Sequence, residues 1–205
     1  MMKRVIFIWV LFSAFMLAPK VLAYEPYPTH YFLAQKSAEI FERALGEKIS
    51  MEELGWLGEG AKNEDAPPRW INHFFDPQSG LGWTGERMGN LPASTVDLLS
   101  AIILSAEKAV SAPSWAQNQE LQQKYSLYEG NRTFQKAIFD YASGDKKEAF
   151  KSLGHILHLI EDMAVPAHTR QDTHADIPGS GDQGEPYEKW VGQNTNLSHL
   201  DDLNF

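Results

Sequence analysis

The chain has 205 residues, 27 acidic and 18 basic side chains, a formal net charge of −9, 43% hydrophobic residues and no cysteine. The acidic balance argues against a polyanion-binding groove, and the absence of cysteine excludes a disulfide framework, so stability must come from a buried core, with metal as the available supplement. An acidic total suits a site in which carboxylates gather around divalent cations, whose charge then dominates locally.

Residues 1–23 open with Lys3 and Arg4, continue through an apolar run from Val5 to Pro19, and end on Val21-Leu-Ala23. This is the pattern of a secretory signal peptide, and the run is short for a bilayer span. Secretion or periplasmic export is expected, with cleavage near Ala23 and one domain over residues 24–205. Without Lys3, Arg4 and Lys20, the mature chain carries 15 basic against 27 acidic residues.

Residues 29–45 read as an amphipathic helix with Thr29 as N-cap and Phe32, Leu33, Ile40, Phe41, Ala44 and Leu45 inward. His30 falls in its first turn, where taken alone it is an ordinary polar position. Ser50-Met-Glu-Glu53 is a capping box opening a short helix toward Leu57. The stretch 58–68 is too rich in Gly and Pro to be regular and, with Glu59, Glu64 and Asp65, too acidic to be buried without cations. Residues 92–110 predict a helix with Val96, Leu99, Ile103, Ala106 and Val110 as core. Residues 111–130 read as a loop with a helical piece near 121–128. A helix over 132–142 is closed by Gly144, and Asp145 with Glu148 caps the next. No period-two strand pattern occurs, so the fold class is all-α.

The densest stretch is 154–174, which holds four of the seven histidines. If 145–164 is helical, Phe150, Leu153, Ile156, Leu157, Ile160 and Met163 form a broad inward face flanked by His155, His158 and Asp162. His158 and Asp162, at i and i+4, project from one side one turn apart. Pro166 stops the helix and the chain presents His168 just beyond it. A polar stripe is the plainer account of these residues, but an acid at the edge of a buried face needs partners. The set is one that zinc accepts.

His158-Leu-Ile-Glu-Asp162-Met-Ala-Val-Pro166-Ala-His168 resembles the H-x-x-x-D-x-x-x-P-x-H core of the bacterial zinc-dependent phospholipases C, shared more loosely with the single-strand-specific zinc nucleases. The lead-in over 141–154 and His-Phe-Phe-Asp-Pro over 73–77 resemble the same family. The resemblance implies a multi-helix zinc domain with metal ligands at His30, His73, His158, Asp162 and His168, and with Asp162 bridging two ions. It also implies a loop carboxylate, for which Glu59 has the family's spacing while Asp65, with Glu64 beside it, fits the local context better and is preferred. A ligand from the mature N-terminus would be Tyr24, where the family has Trp. Tyr187-Glu188-Lys-Trp190 resembles the family's closing motif and makes Glu188 a ligand. The companion histidine's position is Gly184, leaving His174 as the nearest replacement. The chain ends earlier than the family's catalytic domain, as a fragment lacking terminal helices would.

Six of the seven histidines fall in or beside these positions, leaving His199. Two to three zinc ions so held would polarise a phosphoryl oxygen and activate water, with Asp65 as general base. The expectation is a phospholipase C-like phosphodiesterase acting on phospholipid at a membrane surface. The alternatives are a nuclease acting on nucleic acid and a non-catalytic, zinc-stabilised helical domain.

Overall fold

The structure is a computed structural model and describes residues 29–66, 69–83, 109–125, 130–170 and 190. Among them every regular element is helical: α1 (Tyr31–Leu45), α2 (Met51–Asn63), a 3-10 turn (Arg69–Asn72), α3 (Ala112–Gln117), α4 (Gln119–Tyr125), α5 (Phe134–Ser143), α6 (Lys146–Asp162) and α7 (Pro166–Thr169). The fold is all-α. The leader, Tyr24, the expected helix over 92–110 except its last two residues, and His174, Gly184, Glu188 and His199 lie outside the described residues.

Local sequence chemistry accounts for most helix ends. Ser50 accepts from the Glu53 amide at 3.2 Å while Glu53 reaches back to the Ser50 amide at 2.8 Å, the reciprocal capping box that starts α2. Thr133 and Asp145 cap α5 and α6, and Gly144 closes α5 at φ 92°, a backbone state that glycine takes without a Cβ penalty. Asp162 ends α6, and Pro166 restarts the chain as the first turn of α7, where its missing N–H costs nothing.

Four expectations are corrected. Thr29 does not cap α1: the residue before the helix is His30, itself in the helical region, and residues 29–30 are wound as a π turn. The buried side of α1 is Ala34 and Ala38, while Ile40, Phe41 and Leu45 are exposed, because the close neighbours α2 and α6 admit only small side chains there. α2 does not stop near Leu57 but continues through the glycines to Asn63. Residues 112–125 form two short helices, anchored by the fully buried Trp115, and Val110 is not helical but gives its amide to Asn72 Oδ1 at 3.0 Å. Burial of one indole outweighs a polar sequence pattern that reads as loop.

α6 is the central element, with α2 and α5 against it and α1 on α2. One apolar cluster joins Ala34, Ala38, Leu57 and Ala61 with Leu153 and Leu157 of α6; a second joins Ala112, Trp115 and Leu159 with Met163. Between them lies a seam that the apolar pattern assigned to the edge: His155, His158 and Asp162 have no exposed surface, whereas Ile160 is exposed. The polar stripe is thus the deepest part of α6.

Glycine sets the distance between α2 and α6. A methyl group at Gly60 would lie 2.0 Å from the Lys151 carbonyl oxygen, and one at Gly154 would lie 2.1 Å from that of Leu57. These are backbone atoms and cannot step aside. Gly60→Ala and Gly154→Ala are therefore each expected to cost about 1–3 kcal/mol or more by forcing the helices apart, measured as a lowered urea midpoint. Gly55→Ala, whose methyl meets nothing within 4 Å, should instead stabilise α2 by about 0.5–1 kcal/mol.

Candidate metal centre

Five separate segments deliver the site. The π turn brings His30, the end of α2 brings Glu64 and Asp65, the 3-10 turn brings His73, α6 brings His155, His158, Glu161 and Asp162, and α7 brings His168. The approach of α2 to α6 places the Ala61 carbonyl 2.7 Å from His158 Nδ1, which must donate to it and so leaves Nε2 as that ring's coordinating atom. Two hydrogen bonds tie α7 to the 73–75 segment: the Phe75 amide donates to the His168 carbonyl at 3.1 Å, and the His168 side chain donates from Nδ1 to the His73 carbonyl at 3.2 Å. The Phe74 ring also stacks on His168 at 4.8 Å.

Asp162 is the common neighbour. Its Oδ2 lies 2.9 Å from His73 Nδ1, 3.3 Å from His158 Nε2 and 3.4 Å from His168 Nδ1, while Oδ1 faces His30 Nε2 at 3.7 Å. Asp65 Oδ1 lies 3.5 Å from His158 Nε2 and 3.7 Å from His73 Nδ1. Among the described residues, two overlapping groups could hold a metal ion, His30/His158/Asp162 and Asp65/His73/His158, the donor atoms of each lying within 4.8 Å of one another. Since His158 offers one nitrogen to both, Asp162 is the only group of the two sets with an oxygen for each side. Both oxygens of Asp65, both of Asp162 and His158 Nε2 are buried and lack a hydrogen bond of acceptable geometry. Five such atoms in one cluster would cost far more than a fold tolerates unless a cation satisfies them, so the residues fit a metal ion.

Three acids compete for the loop position. Glu59 is turned to solvent and pairs with Lys151 at 2.9 Å. Glu64 is buried, but its Oε2 accepts from Arg69 Nε at 2.7 Å and meets His155 Nδ1 at 2.5 Å, and its Oε1 accepts from Trp115 Nε1 at 2.8 Å. Asp65 alone of the three sets an oxygen, Oδ1, against both His73 and His158. His155, close to the motif in sequence, belongs to the Glu64 network. Asp76 of the His-Phe-Phe-Asp-Pro stretch closes a surface turn through the Gln78 amide and Ser79 Oγ. Sequence reasoning missed Glu161, whose Oε2 lies 2.7 Å from His30 Nδ1, and the Glu64–Arg69–Trp115 network. The signal for Glu161 was its place three residues after His158.

The proton balance follows from burial and from charge. Burial opposes ionisation of Asp162, yet His168, His158 and His73 hold its carboxyl well below the usual range. Burial likewise disfavours the His158 and His73 cations, but the Asp162 carboxylate overrides it, with Asp65 assisting at His158, and holds them up to about 10 and about 8. Burial pushes Asp65 up to about 6 and Glu161 up to about 8. His30 is driven well below its ordinary value by burial and then by His158. Glu64 stays well below the ordinary range because Arg69 and His155 outweigh its burial.

No protein-family model, curated protein or solved structure matches the chain.

Two expectations follow. A cation must displace the protons held on His73 and His158, so affinity should rise with pH, by up to ~100-fold per unit where both protons leave and by ~10-fold per unit once His73 has titrated above pH 8. Calorimetry in buffers of different ionisation enthalpy should count about two protons released from His73 and His158 at pH 7, and about one more from Glu161 where His30 joins the ligand set; pH-independent affinity contradicts the ligand set. Asp162→Asn keeps size but removes the charge, and should cost at least one bound ion by elemental analysis, whereas Glu59→Gln should leave the metal content unchanged.

Proposed function

We propose that this chain is an exported zinc-dependent phosphodiester hydrolase of the phospholipase C type. The observation that supports it most is Asp162, a fully buried acid with its two oxygens toward different histidines, because the residues gathered around it are those on which the family resemblance rests. Imidazole-rich, tight donor sets with carboxylate favour zinc over the hard cations, which prefer all-oxygen shells. Zinc bound here supplies a Lewis-acidic charge for a phosphoryl oxygen and brings a coordinated water to a pKa of about 7.

The chain's own groups do the rest. Asp65, His73 and His158 bind one side of the centre, and His30 with Asp162 the other. The Ala61 carbonyl and the Glu64 network keep His158 and His73 from turning. Asp65, whose Oδ1 lies 3.5 Å from His158 Nε2 and 3.7 Å from His73 Nδ1, is the carboxylate placed to take the proton of the attacking water. The preference for a phospholipid at a membrane surface rests on the His-Phe-Phe-Asp-Pro stretch, and export rests on residues 1–23.

The test is zinc-loaded mature protein given phosphatidylcholine vesicles and, separately, single-stranded DNA. Diacylglycerol release is expected, with Asp65→Asn reducing kcat by at least about 100-fold. Nucleotide release without lipid cleavage would move the assignment to the zinc nucleases. Tight metal with hydrolysis of neither would make the centre structural.

A further inference from the structure

The histidines of the centre differ in what holds their second nitrogen. His158 and His168 each donate Nδ1–H to a backbone carbonyl, of Ala61 and His73 respectively. His30 instead sets Nδ1 against a side-chain carboxylate, Glu161 Oε2, at 2.7 Å, across 131 residues of sequence. Its ring also lies flat on His158, with centroids 3.7 Å apart and planes inclined by 21°. Together the stack and the carboxylate fix the ring so that Nε2 faces Asp162 Oδ1.

A cation held at His30 Nε2 would leave the ring's proton on Nδ1, and Glu161 Oε2 would then accept it once Glu161 has given up the proton that burial favours in the metal-free protein. A carboxylate in this position makes imidazole a stronger donor to the metal, fixes its orientation, and adds negative charge beside the ion. Because Glu161 directly precedes Asp162, one stretch of α6 supplies both a ligand and the support for the ligand opposite.

Resting on the metal-centre reading, we infer that Glu161 is the positioning residue of His30, setting the affinity of the His30/Asp162 half of the centre without itself binding the ion. The two halves therefore respond separately to substitution. Glu161 acts on the first and Asp65 on the second.

The test is Zn2+ competition against a chromophoric chelator on the full chain, with Asp65→Asn used to identify which binding step belongs to which half. Glu161→Ala should weaken the His30/Asp162 step by about 10–100-fold and leave the other step within about two-fold. Glu161→Gln, which keeps an acceptor but not the charge, should fall between Ala and wild type. In the zinc-loaded wild-type protein the His30 Nδ1 proton should give a low-field resonance protected from solvent exchange, a readout that needs no variant. An absent resonance, an unchanged first step in Glu161→Ala, or equal weakening of both steps overturns the inference. A wild-type chain that binds no Zn2+ overturns the metal-centre reading and this inference with it.

Discussion

Asp162 has no exposed surface, and an ionised carboxylate in such a place is stable only if positive charge or donors surround it. Much of the described fold serves that requirement. His73, His158 and His168 bring nitrogens to within 2.9–3.4 Å of one oxygen, and His30 approaches the other. The protein's own imidazolium charge holds the acid ionised, and that is the state in which it can accept a cation in exchange for protons. A cation held there would have to compete with those protons for one pocket.

Around the cluster the polar groups are more fully satisfied. Glu64 is fully buried beside the centre, yet Arg69, Trp115 and His155 surround it, and Arg69 stacks over Trp115 at 5.1 Å. The same acid faces His73 Nε2 at 3.7 Å, so a saturated network stands directly behind one ligand. The contrast between this saturated shell and the unsatisfied atoms it encloses is what marks the inner group as one that could hold a metal ion.

The glycines of α2 and α6 link packing to chemistry. Gly60 and Gly154 permit a backbone approach that any side chain would block, and that approach brings the Ala61 carbonyl onto His158. A helix pair held at ordinary separation by larger residues would leave His158 with neither its acceptor nor its orientation. Helix packing distance is therefore a parameter of the site.

The sequence by itself determined the helical class, the capping box at Ser50, the Gly144 stop, the Pro166 break, and the placing of His158 and Asp162 on one side of a helix with His168 just beyond it, because these depend on residue chemistry acting over one or two helical turns; the place of His73 beside them was implied by the family resemblance and not by local chemistry. It also narrowed the loop acid to three candidates. Only the tertiary structure decided among them, since Glu59, Glu64 and Asp65 differ not in type but in which way a helix end turns them. It also decided that α2 runs through its glycines, since their value lies in contact with a helix about ninety residues away, and that the polar rather than the apolar stripe of α6 is the deepest. Amphipathic pattern predicts burial by counting apolar side chains, and it fails where ligands from five segments meet, because the partners that make a buried histidine or aspartate stable are distant in sequence.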